Sequence, residues 1–169
     1  MAELLWKAAR REAHTLRDIA LGDEQAPLTT RQLEDLAVFY EAKVHYADLE
    51  EDLSGFIVKE EGQVAKIYIN QWMPRTRQRF TLAHEIGHLV DRLKLAQDDE
   101  YSFTDFRGVK YDLHEFFADE FAGALLMPAE AFLEKAGPDG ITLERAAKHF
   151  NVSFQAAQKR FDRLQKSPE

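Results

Sequence analysis

The segment TLAHEIGHLV, residues 81–90, spends two of the chain's six histidines four positions apart, with a glutamate directly after the first. On an α-helix, residues i and i+4 are separated by about 40° and one turn of rise. His84 and His88 therefore share a face and can grip one metal ion. Neutral imidazole binds zinc without burying a net charge. Glu85 would stand beside an open position on that ion, where it could take a proton from a water made acidic by the metal. Five residues thus supply two ligands and one base. The alternative for such a short motif is a surface helix with two solvated histidines.

A catalytic zinc site takes a third protein ligand and keeps a fourth position open. Asp91, at i+7 from His84, stays near the same face. Three ligands from one straight helix surround an ion poorly, so Asp91 is expected to support a ligand or to be an exposed acid. The better source is HEFFADE, residues 114–120. Glu115 and Asp119 are four apart, so one carboxylate can ligate while the other orients a ligating histidine through its second ring nitrogen. A buried Glu115 among Phe116, Phe117 and Phe121 would be costly without a cation nearby. His114 competes for the third ligand position. Glu120 points away from Glu115 on this helix and is expected to be exposed.

These groups need elements to hold them. Apolar spacing predicts a helix over residues 2–20 and a second one capped by Thr30. Residues 43–47, 55–59 and 64–70 read as three short strands, the last two forming a hairpin around Glu60-Glu-Gly62. Pro74 opens a long helix over about 75–95 that carries both histidines. Residues 97–112 lack a period and are expected to form a loop at the site. A helix over 113–127 ends at Pro128, which starts a short helix to residue 135. After the Gly137–Gly140 break come two helices, about 143–149 and 154–165. The expected fold class is α+β: a small three-stranded sheet packed on helices (1–136), with a helical appendage (137–169) packed on that core.

Composition narrows the chemistry. There is no cysteine, so any metal must be held by His, Asp or Glu. No apolar run approaches the roughly 20 residues of a membrane span, and the charged N-terminus does not resemble a signal peptide. A cytoplasmic protein without membrane contact is expected. The formal charge of −8 opposes nonspecific DNA binding. Residues 141–169, however, carry +3 against −11 for the remainder, so the tail has a basic excess that is either a solvated face or a partner's site.

RQRFTLAHEIGHLV (77–90) followed by HEFFADEFAGALLMP (114–128) resembles the ImmA/IrrE-type metallopeptidases, which are gluzincin-like. The resemblance covers most of the chain and implies a zincin-like core. It implies His84, His88 and Glu115 as zinc ligands and Glu85 as catalytic base. Asp119 stands where the family usually has Asn, and Phe117 replaces an acid common there; neither change removes a ligand. Family members often act as intracellular proteases that cut a helix-turn-helix repressor and so derepress mobile-element or stress genes. The resemblance implies that substrate class, with Zn2+ as cofactor. Large members carry a sensor domain, for which this chain is too short, so regulation would come through a partner, the metal supply or expression.

Such a mechanism needs an oxyanion donor besides the metal. Tyr111, Tyr101, His114 and the Arg75/Arg77 pair are the candidates. If the strand over 64–70 lies at a sheet edge, an extended substrate could add to it by backbone pairing; otherwise it is sheet structure alone. The tail has helix-turn-helix spacing, with Asn151 at the turn and Ser153 as N-cap. Lys159, Arg160 and Arg163 lie towards the far end of the second helix rather than at its start, which argues against direct DNA binding. Phe150, Phe154 and Phe161 are expected to pack. Two other functions remain open: a non-catalytic DNA- or partner-binding regulator with a vestigial zinc site, and a toxin-antitoxin component.

Overall fold

The computed structural model describes residues 3–22, 25–96, 101–106 and 112–169; Tyr111 lies outside them. Seven α-helices and four strands are present among the described residues. Helix α1 (Leu5–Leu21) buries Ala8, Ala9, Ala13 and Leu16, a helical stripe that packs along α4 (Leu113–Leu126). Gly22 closes α1 at φ 61°, the left-handed conformation that glycine adopts without steric cost. Helix α2 (Thr30–Phe39) is capped by Thr29 rather than Thr30. Thr29 accepts from the Gln32 amide at 3.1 Å and its own amide donates to Gln32 Oε1 at 2.8 Å, a reciprocal capping box.

The sheet has four strands, not three: β1 (Ala42–Ala47), β2 (Leu53–Lys59), β3 (Ala65–Asn70) and β4 (Tyr101–Phe106), in the order β1-β3-β2-β4. Strand β4 falls inside the stretch expected to be a loop. Its pairing with β2 shifts register between Leu53 and Gly55, where β2 carries one extra residue, and its own sequence, Tyr-Ser-Phe-Thr-Asp-Phe, alternates only as far as Thr104. Strand β3 pairs with β1 in parallel and with β2 antiparallel. It is therefore an interior strand, so the edge position that substrate addition would need is not met and the alternative, sheet structure alone, holds; the described sheet ends in β1 and β4.

Ile57, Ile67 and Ile69 point from the sheet into the core. The other face carries a row of rings, His45 on Tyr68 at 5.1 Å and Tyr68 on Phe56 at 4.7 Å. These cross-strand contacts join β1, β3 and β2 on the face opposite the one that packs on α3 (Arg75–Val90). At Gly55 a Cβ would stand 2.7 Å from Thr81 Cγ2, so the sheet's approach to α3 requires glycine there.

Residues Thr81 to Val90 are all buried, because the sheet, α2 and α4 cover α3 between them. Arg79 ties its first turns to distant loops, donating to Leu28 O at 2.7 Å, Thr30 Oγ1 at 3.2 Å and Asn151 O at 3.1 Å. The helix expected to reach residue 95 is α-helical only to Val90; Asp91–Ala96 form a wider π-helical turn. Beyond α4, Pro128 precedes α5 (Ala129–Ala136), followed by α6 (Leu143–Phe150) and α7 (Phe154–Lys166). Asn151 adopts the left-handed conformation between α6 and α7, and Ser153 accepts from the Ala156 amide at 3.1 Å. Phe150, Val152, Ala157 and Leu164 join the same buried cluster as α3 and α4. Phe161 packs partly against it, but Phe154 is 52% exposed, contrary to its expected packing role.

Candidate metal centre

The helical period puts His84 and His88 on one face of α3, with ring centroids 4.8 Å apart and planes at 82°. Helix α4 crosses that face closely. A Cβ at Gly87 would lie 2.9 Å from Ala118 Cα and 3.1 Å from Ala118 O, so only glycine lets the two backbones approach this far. The approach delivers Glu115 to the histidines. Its Oε2 lies 3.0 Å from His84 Nε2 and its Oε1 lies 3.1 Å from His88 Nε2. Donor atoms of His84, His88 and Glu115 all fall within 4.8 Å of one another. Asp112 fixes the start of α4 by accepting from the Glu115 amide at 2.9 Å.

The three groups fit a divalent cation. His84 Nε2 is buried and makes no hydrogen bond among the described residues, although a carboxylate oxygen faces it. Two imidazole nitrogens and one carboxylate oxygen around a common point form a donor set suited to zinc and its neighbours. Glu85 is fully buried on α3, adding a second carboxylate that a cation would balance.

The electrostatics follow from the same crowding. Burial works to lower the His84 pKa, but the Asp119 and Glu115 carboxylates beside it raise it well above the ordinary histidine value. His88, buried and beside His84, is lowered. Burial would raise the Glu115 carboxyl, yet the two rings outweigh it and hold it at about 2. A metal ion and a proton would compete for the His84 ring.

Around this centre the structure makes further pairings. Asp119 Oδ1 lies 2.9 Å from His84 Nδ1, the nitrogen that faces away from Glu115. Asp119 Oδ2 accepts from Lys159 Nζ on α7 at 2.6 Å. Burial would raise the Asp119 carboxyl; His84 and Lys159 hold it well below the usual carboxylate range. Asp91 is buried and bonds His114 Nδ1 at 2.7 Å, so it orients His114 rather than sitting exposed. Among the described candidate donors, His114 has a ring that is both oriented and partly open. Tyr101, at the start of β4, packs partly against the core. Arg77 Nε donates to Ser54 Oγ at 3.0 Å, which turns it to the sheet.

Glu120 departs from expectation. It is buried, not exposed, and pairs with Arg10 at 2.7 Å, Arg163 at 2.9 Å and Arg160 at 3.5 Å. Most of the tail's basic excess on α7 is spent inside the molecule on Asp119, Glu120 and Glu169. Sequence reasoning missed Lys159 and the Asp91–His114 pair as parts of the site, because their partners lie 40 and 23 positions away. Only the clustering of acids and bases on facing helices could have signalled them.

The IrrE N-terminal-like domain model matches residues 30–162. The radiation response metalloproteases IrrE of Deinococcus deserti and Deinococcus radiodurans are 39% and 38% identical over 97 residues, 54% of this chain. Those residues span 34% and 29% of the two relatives, so this chain matches only about a third of their length. A Mycobacterium tuberculosis transcriptional regulator superposes with a TM-score of 0.63 at 23% identity, covering 97% of this chain and 48% of that one. That likeness concerns the fold.

Proposed function

The chain belongs to the IrrE N-terminal-like family, whose curated relatives are metalloproteases, and on that premise we propose that it is a zinc-dependent endopeptidase acting on a helix-turn-helix repressor. The observation that carries this reading is the meeting of His84, His88 and Glu115 around one point, with Glu85 on the same helix. His84, His88 and Glu115 would hold the ion, and Asp119 would fix the His84 tautomer. Bound zinc supplies Lewis acidity, polarising a peptide carbonyl and acidifying a water.

The chain's own residues do the proton work. Glu85 takes the proton from the attacking water and later delivers it to the leaving amine. His114, turned by Asp91, is the best-supported donor to the developing oxyanion, and Tyr101 is less open. The zincin-like core would extend through residue 136, with residues 137–169 as a helical appendage.

The repressor as substrate rests on the resemblance to family members that cut such proteins. The tail does not favour DNA as the partner, since Lys159, Arg160 and Arg163 of α7 already face carboxylates. No helix among the described residues is long and apolar enough to cross a membrane.

The test pairs metal content with cleavage. Purified protein should carry about one zinc per chain and cut a helix-turn-helix repressor at one position. Glu85→Gln should keep the zinc and lose roughly 10²–10⁴-fold in cleavage rate. A Glu85→Gln protein that cuts as fast as the wild type would remove the base from the mechanism. A wild type that binds no zinc even when supplied with it would overturn the enzyme reading.

A further inference from the structure

We propose that Lys159 is a positioning residue for the metal centre, acting through Asp119 to hold the His84 imidazole in its ligating orientation. This rests on the metal reading above. Asp119 uses one oxygen on His84 Nδ1 at 2.9 Å and the other on Lys159 Nζ at 2.6 Å. The carboxylate is thus held at both ends, and its rotation would carry the ring with it.

Helix α7 is fixed where it offers this lysine. Arg160, the next residue, is buried and donates to Met127 O at 3.1 Å at the end of α4. Arg163 pairs with Glu120, the residue after Asp119. Ala157 and Leu164 are in the core. The base of Lys159 is therefore set by packing, and its ammonium end reaches the side chain that orients His84.

The pair is placed for geometry rather than for fold stability. The Lys159 side chain is 49% exposed, and a half-exposed ion pair contributes little to folding. Asp119, at 13%, is the buried member and the one in contact with the ligand. Through-space repulsion and positioning also predict opposite signs. An ammonium near a dication weakens binding by charge alone, so its removal would tighten the site. A positioning role predicts the reverse.

The experiment measures zinc affinity by competition with a chromophoric chelator, and the visible spectrum of the cobalt-loaded protein. It uses wild type, Lys159→Met, Lys159→Arg, Asp119→Asn and the Lys159→Met/Asp119→Asn double variant. Lys159→Met should bind zinc about tenfold more weakly and show an altered cobalt spectrum, as expected for a lost outer partner. Lys159→Arg should restore most of the affinity. In the Asp119→Asn background, Lys159→Met should have no further effect, because the route runs through that carboxylate. Unchanged or tighter binding by Lys159→Met overturns the proposal, as does an equal loss in the Asp119→Asn background. Wild-type protein that binds no zinc overturns the metal reading itself, and this inference with it.

Discussion

Two adjacent residues of α4 lead to opposite kinds of buried charge. Asp119 and Glu115 turn towards His84 and His88, where donors outnumber cations and an imidazole nitrogen is left facing a carboxylate without a hydrogen bond. Glu120 turns the other way, into Arg10, Arg160 and Arg163, with Glu169 closing the set by pairing with Arg160 at 2.8 Å. The first cluster gathers two imidazoles and a carboxylate at one point, a set that could hold a cation. In the second, three arginines share the carboxylates of Glu120 and Glu169. The difference lies in the bases: histidine can shed its proton and become a ligand, whereas arginine stays charged and can only be paired.

The largest expected effect tests the arginine cluster. Glu120→Ala leaves Arg10 and Arg160 buried without their shared carboxylate and should cost about 3–5 kcal/mol of stability, read as a denaturant midpoint. Glu115→Ala should cost the metal-free protein clearly less, because its partners can become neutral. Equal losses in the two variants would break the comparison.

Zinc sharpens it from the other side. At a free concentration 100 times the dissociation constant, zinc should stabilise the wild type by about 2.7 kcal/mol. It should still stabilise Glu120→Ala, if that variant folds, and should do little for Glu115→Ala. Thermal scans with zinc and with a chelator check this.

Gly87→Ala tests the approach that joins the helices. The new methyl would meet the Ala118 backbone at 2.9 Å, for an expected loss of about 1–3 kcal/mol together with weakened zinc binding. A variant with lower stability but unchanged zinc affinity would show that the ligand geometry tolerates a wider spacing.

The smallest effect is acid sensitivity at the arginine cluster. Burial would raise the Glu169 carboxyl, but His14 and Arg160 hold it at about 2. Its folded pKa is below the unfolded value of about 4.3, so its contribution is present above that value and lost as pH falls through about 2. The stability difference between wild type and Glu169→Gln should therefore be constant near neutrality and shrink below about pH 4. A difference that grows on acidification would contradict the pairing.

Much of the site was legible because its logic is local. The i, i+4 spacing of His84 and His88, the same spacing of Glu115 and Asp119, and the mid-helix Gly87 each depend on one helix. The left-handed Asn151 and the Ser153 cap were legible for the same reason. Strand β4 was not, because its alternation stops at Asp105-Phe106 and its place is set by pairing with β2. The interior place of β3 was not, because strand order depends on which partners compete for each edge.

By itself, the sequence determined the periodic faces: which residues leave a helix together, where turns fall, and which side chains can ligate. The tertiary structure decided which faces meet. It brought α4 onto Gly87 and so placed Glu115 between the histidines, sent Glu120 to an arginine 110 positions away, and delivered Lys159 to Asp119. The physical reason is range. Helix geometry is fixed by a few neighbouring residues, whereas the partner of a buried charge is chosen by packing across the whole chain, and that choice leaves no period to read.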